Sequence, residues 1–107
     1  MAEPDAEEQR WLQLMAAAQD GDRAAYDRLL HEILPFVVAL VRPQHRTPDC
    51  VEEMVQDVLL TVHRVRHTYD PSRPFKPWLS AIANRRSVEL LRRRRPSPLK
   101  NSDDRGL

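Results

Sequence analysis

Arginine crowds into the last third of the chain. Arg85, Arg86, Arg92, Arg93, Arg94 and Arg95 follow one another closely, preceded by Arg73 and Lys76. The guanidinium group chelates phosphates and base edges bidentately and stacks on rings, so this run is either a solvated face or a surface for a polyanion. Three aromatic residues adjoin it, Tyr69, Phe75 and Trp78. Aromatic platforms beside a positive channel are how single strands are held. Phe75 and Trp78 also share an apolar helical stripe, which favours the core for both. Tyr69, between the stripes, is the better stacking ring.

A second constellation is polar and acidic: Glu52, Glu53, Gln56 and Asp57, with His63 and Arg64 a turn or two later. It reads either as an ordinary solvated helix face or as a docking surface for a basic partner, chosen by charge complementarity. His63 and His67 stand four apart, a spacing that can hold a metal on one helical face. No carboxylate or cysteine completes a ligand set near them, so neither metal nor cofactor is expected. Cys50, the sole cysteine, reads as a small buried thiol near a helix start rather than a reactive one. No nucleophile elbow, His-Glu-x-x-His motif or phosphate loop occurs, and only Gly21 and Gly106 are glycine, so an enzyme is the poorest class.

Helices must carry these groups. Trp11, Leu14, Met15 and Ala18 keep helical spacing, and Asp20-Gly21 stops that helix. Asp22 is placed to cap the next, which carries Tyr26, Leu29, Leu30 and Ile33, then Val37, Leu40 and Val41. Pro35 lies inside it and predicts a kink near Leu34. After a loop over 42–46, Thr47 can cap a third helix with Pro48 at its first position. Its apolar face is Val51, Met54, Val55, Val58, Leu59, Val62 and Val65. Turn residues break the pattern over 67–74, and a fourth helix is expected from about Phe75 to Arg95, ended by Pro96. The expected fold is all-α, a compact bundle of about four helices. Residues 1–10 form an acidic lead, 11–95 the domain and 96–107 a flexible tail.

Composition bounds the rest. A length of 107 residues suits one domain, and a single cysteine makes a reducing cytoplasm the default. The longest apolar stretch, Ile33 to Val41, is far short of the ~20 residues needed to span a bilayer. The formal charge of +1 hides two opposed halves. Residues 1–60 hold 12 acids and 5 bases, residues 61–107 hold 4 acids and 12 bases. That division predicts one face for a basic partner and another for a polyanion.

Three segments, in order, resemble one family. Asp49-Cys50-Val51-Glu52-Glu53-Met54-Val55-Gln56-Asp57-Val58 is similar to the Ala-Glu-Asp-Leu-Val-Gln-Glu-Val-Phe pattern of bacterial sigma factors. The segment from Tyr69 to Ala83, with Phe75, Trp78, Leu79, Ile82 and Ala83, resembles the following Phe-x-x-Trp-Leu-x-x-Ile-Ala block. Ala18-Gln19-Asp20-Gly21-Asp22, with Ala25 and Tyr26, resembles the opening of the same domain. Together they are similar to region 2 of the extracytoplasmic-function (ECF, group IV) sigma factors over about residues 11–95.

The resemblance implies a division of labour. Glu52, Glu53, Gln56, Asp57, His63 and Arg64 would meet the clamp helices of the largest subunit of core RNA polymerase. The loop from Tyr69 to Lys76, including Ser72, Arg73 and Phe75, with Trp78 beyond it, would take a flipped non-template base of the −10 promoter element. Asn84, Arg85, Arg86, Glu89, Arg92 and Arg93 would line the strand. An anti-sigma factor commonly controls such proteins, and membrane insertion plays no part. The sequence departs from the family where Arg85 replaces Asn, Glu89-Leu90 replaces Asp-His and His63 replaces Trp. Region 4, with its helix-turn-helix for the −35 element, is absent, which suggests a truncated chain or a natural single-domain form. Two other readings remain: a sigma-like module that sequesters an anti-sigma factor without DNA, and a generic helical nucleic-acid binder.

Overall fold

The computed structural model describes residues 5–94, the side chain of Arg94 excepted. Four α-helices occupy them: α1 (Ala6–Gln19), α2 (Arg23–Val41), α3 (Pro48–Val65) and α4 (Phe75–Arg94). Short 3-10 turns, Arg42–Gln44 and Arg66–Thr68, follow α2 and α3. The expected end of the last helix at Arg95 and Pro96, and the expected tail over 96–107, lie outside the described residues.

Local chemistry sets each helix start. The Asp5 side chain accepts from the Glu7 N–H, Asp22 from that of Ala25, and Thr47 from that of Cys50. Each satisfies an N–H that the first turn leaves without an intrahelical acceptor. The cap at Asp5 starts α1 ahead of its apolar stripe, so residues 6–10, read from the sequence as a lead, are helical. Between α1 and α2 the chain turns at Gly21, whose φ of +102° an L side chain rarely adopts.

Helix α2 is the central element. Ala25, Leu29, Ile33, Val37 and Val41 recur every four residues, and all five are buried. It packs on α1, α3 and α4, while α1 and α3 each also touch α4. The kink expected near Leu34 does not interrupt the helix, which runs unbroken through Pro35. Pro35 is exposed, so water can serve the carbonyl one turn earlier that its missing N–H leaves without a partner.

The core joins Trp11 and Met15 of α1, the α2 row, Met54, Val58 and Val62 of α3, and Phe75, Leu79 and Ala83 of α4. Full burial of each large apolar side chain stabilises by about 1.5–3 kcal/mol. Trp11 meets Phe36 and Phe75 edge to face, with centroids 5.4 and 6.3 Å apart. Helix α4 leans on this core along one face, from Phe75 to Leu90, and exposes Arg85, Arg92 and Arg93 away from it.

Candidate nucleic-acid interface

The segment between α3 and α4 is built by local hydrogen bonds. Asp70 accepts from the N–H and hydroxyl of Ser72 through one carboxylate oxygen, at 2.9 and 2.8 Å. Its carbonyl accepts from the Arg73 N–H at 2.9 Å, closing a turn that Pro71 pre-sets. Tyr69 donates its hydroxyl to the Arg73 carbonyl from inside the loop. Its ring meets Phe75 edge to face at 5.3 Å and packs tilted against Trp78 at 5.2 Å.

These residues wall a cleft of about 570 Å³, lined by Tyr69, Asp70, Arg73, Pro77 and Trp78 among others. That volume is in the range of small-ligand sites. One wall is aromatic and the rim carries a carboxylate and a guanidinium, so a flat heteroaromatic ring can stack and be hydrogen-bonded at its edge. Tyr69 takes a different part from the one expected of it. It is only 3% exposed, a floor for the cleft rather than a free platform. Burial, with the charges of Glu8 and Asp70 beside it, pushes its hydroxyl up to about 12. Phe75 is wholly buried, as its stripe position favours, and Trp78 is half-buried, leaving it as the ring at the surface.

The other expected strand contacts sort by environment. Ser72, Arg73, Asn84, Arg85, Arg92 and Arg93 are exposed. Glu89 sits between Arg92 and Arg93, at 3.6 and 4.0 Å, and offsets part of their charge. Lys76 does not reach out. Its ammonium pairs with Asp5 at 2.7 Å and Glu7 at 2.8 Å, which raises its pKa, and lies over the rings of Trp11 and Phe36.

Arg86 is also engaged. Its Nε and Nη2 donate to the two carboxylate oxygens of Asp57, at 2.6 and 3.1 Å. The sequence placed these two residues on separate surfaces, and the fold makes them one bidentate clamp between α3 and α4. The guanidinium holds the Asp57 carboxyl below its ordinary pKa, against the opposing effect of burial.

On α3, Glu52, Glu53, Gln56, His63 and Arg64 are exposed. His63 Nδ1 is 2.8 Å from the Tyr26 hydroxyl, tying the end of this face to α2. The sequence reading passed over Leu60, which is 60% exposed in line with Gln56 and Arg64. Beside this face, a groove of about 690 Å³ runs between α2 and α3, floored by Leu34, Val38, Val51, Val55 and Leu59. Periodicity assigned Val51 and Leu59 to the core, and the structure leaves them half-buried in its wall.

Helix α1 supplies contacts that no spacing announced. Glu8 accepts from the Phe75 and Lys76 N–H groups, and Gln19 donates to the carbonyls of Arg66 and Tyr69. Among the described residues no group of three or more metal-ligating side chains converges. No described helix is long and apolar enough to cross a membrane.

Comparison with known proteins agrees with this arrangement. A family model described as sigma-70 region 2 matches residues 29–97. The ECF RNA polymerase sigma factor RpoE of Cereibacter sphaeroides is 35% identical over 91 residues, covering 82% of this chain and 50% of the relative. The ECF RNA polymerase sigma factor SigF of Caulobacter vibrioides is 35% identical over 89 residues, with the same coverages. The chain thus spans about half the length of the curated relatives it matches. A solved structure of an engineered region 2 of sigmaE in complex with GTAAAA superposes with a TM-score of 0.71 at 26% identity. It covers 87% of this chain and 93% of that one. Fold, motif order and sequence similarity agree: the chain belongs to the sigma-70 region 2 family and is a region 2 domain of the ECF kind.

Proposed function

We propose that this domain binds core RNA polymerase through α3 and captures the non-template strand of a melted −10 promoter element through the α3–α4 loop and α4. The observation that carries the reading is the cleft walled by Tyr69, Arg73 and Trp78, with exposed Arg85 and Arg92 following Trp78 at seven-residue steps along α4. Extruding a base from the duplex costs a few kcal/mol, which stacking and edge hydrogen bonds in a cleft can offset. Arg85, Arg92 and Arg93 supply the phosphate attraction that holds the strand without reading it.

The polymerase side rests on Glu52, Glu53 and Gln56, with Leu60 as an apolar anchor and the α2–α3 groove beside it. The groove has Glu52 and Gln56 on one rim and Arg42 and Arg46 on the other. A partner helix with an apolar stripe and mixed charged flanks, such as a polymerase clamp helix, fits that chemistry. An anti-sigma factor that covered this groove or the α4 arginines would block either partner. Such work is done in the cytoplasm, and the domain itself performs no catalysis. The alternative of a sequestering module without DNA binding is not favoured, because the cleft and the arginines are both retained.

Fluorescence anisotropy with the single-stranded hexamer GTAAAA and a scrambled control tests the DNA half. Preference for the hexamer, lost in Trp78→Ala, is the expected result. Equal binding of both strands by the unaltered chain refutes it. Core polymerase capture should weaken in Leu60→Asp, and unchanged capture removes the α3 assignment.

A further inference from the structure

We propose that α1 braces the base-receiving cleft from behind, with Gln19 and Glu8 as positioning residues for a base that neither touches. The inference rests on the strand-capture reading above. Gln19 spans the start of the loop: its Nε2 donates to the Arg66 carbonyl at 2.9 Å and the Tyr69 carbonyl at 2.8 Å. Those carbonyls bound the 3-10 turn Arg66–Thr68, so one amide fixes the backbone on which the Tyr69 ring stands.

Glu8 holds the other end. Its two carboxylate oxygens accept from the Phe75 and Lys76 N–H groups, the Lys76 bond at 2.8 Å. Pro74 precedes Phe75 and has no side-chain oxygen, so α4 cannot cap itself as the other three helices do. A carboxylate from a distant helix does it instead, in the position favoured by the helix dipole.

Glu8 and Gln19 are eleven residues apart on one helix, roughly 16 Å along its axis. A single rigid rod therefore grips the loop where it begins and where it ends. Between the grips lie the turn at Asp70 and the Arg73 side of the cleft, and Pro77 and Trp78 follow directly on the second grip. Both side chains are half-buried and both bind backbone 47 to 68 residues away, so the grip belongs to the tertiary fold. A loop held in its receiving shape before the strand arrives loses less conformational freedom on binding and discriminates better between bases.

Selection from a randomised ten-nucleotide single-stranded DNA pool, with sequencing of the bound fraction, reads this out on the full chain. The unaltered protein should concentrate one base at one position. Gln19→Ala, which removes two hydrogen bonds, should lower that preference roughly tenfold. Glu8→Gln should lower it in the same direction, and both should leave the salt dependence of total binding unchanged, since no phosphate contact is lost.

Arg10→Ala is the structural control. It breaks the Arg10–Glu32 pair between α1 and α2 without touching the loop, and should keep the base preference. Retention of full preference in Gln19→Ala overturns the brace. Equal loss in Arg10→Ala also overturns it, because the effect would then be general stability. If the unaltered chain concentrates no base, the strand-capture reading itself fails, an outcome distinct from the other two. Circular dichroism confirms folding, and Gln19→Ala decides alone if Glu8→Gln unfolds.

Discussion

Replacing Asp57 with asparagine tests the clamp between α3 and α4. The carboxylate receives two charge-assisted hydrogen bonds from Arg86, and the two side chains are 26% and 25% exposed. Fully exposed pairs contribute about 0–1 kcal/mol, whereas breaking a buried one costs about 3–5 kcal/mol. A pair three-quarters removed from water falls between them, near ~2 kcal/mol. For a domain of this size that lowers Tm by roughly 10 °C. The pH dependence has a definite sign. Arg86 depresses the folded-state pKa of Asp57, so the contribution is present above the unfolded value, about 3.9, and is lost as pH falls through the folded value. The amide that replaces the carboxylate cannot titrate. The stability gap between the unaltered chain and Asp57→Asn should therefore be constant from about pH 5 to 8 and narrow on acidification below about pH 4. Urea unfolding of both, of Arg86→Gln and of the double variant gives the coupling energy directly. A coupling below about 0.3 kcal/mol would refute the clamp, as would a gap that persists undiminished at about pH 3. The clamp also means that charge reversal at Asp57 alters the α3–α4 packing, so Gln56 and Leu60 are the cleaner probes of a docking face.

Arg85→Ala should lower the slope of log K against log salt for single-stranded DNA by about 0.7. Arg86→Ala should change it less, because Asp57 already neutralises that guanidinium; equal slopes would refute the difference. Tyr69→Phe removes the hydroxyl bond to the Arg73 carbonyl and should cost about 1 kcal/mol in urea unfolding. Because its folded pKa is raised to about 12, Tyr69 contributes stability that is full below about pH 10 and lost as pH rises through the folded value. Ultraviolet titration should show Tyr69 un-ionised at about pH 10.5, and a tyrosinate signal from both tyrosines there would contradict its burial. Gly21→Ala should destabilise by about 1 kcal/mol, since φ of +102° strains any L side chain, although a Cβ there meets no neighbour. No loss of stability would show that the turn relaxes.

The periodicity of apolar residues determined the four helices, because a 3.6-residue repeat leaves few other ways to bury Leu29, Ile33, Val37 and Val41 together. Caps at Asp22 and Thr47 and the stop at Gly21 were legible for the same reason: each acts on backbone within three residues of itself. Motif spacing likewise pointed to the loop and the polar α3 face. What the sequence could not contain was which opposite charges meet. It divided the chain into an acidic and a basic half and suggested two outward faces. The fold instead turns Asp57 onto Arg86 and Asp5 and Glu7 onto Lys76, so part of that charge is satisfied internally. It also buries Tyr69 and brings Gln19 and Glu8 to the loop. These partners lie from 29 to 71 residues apart, and no local period links them. Only the docking of α1 and α3 against α4 sets those distances, because an ion pair or a hydrogen bond depends on position in space to within an ångström and not on order along the chain.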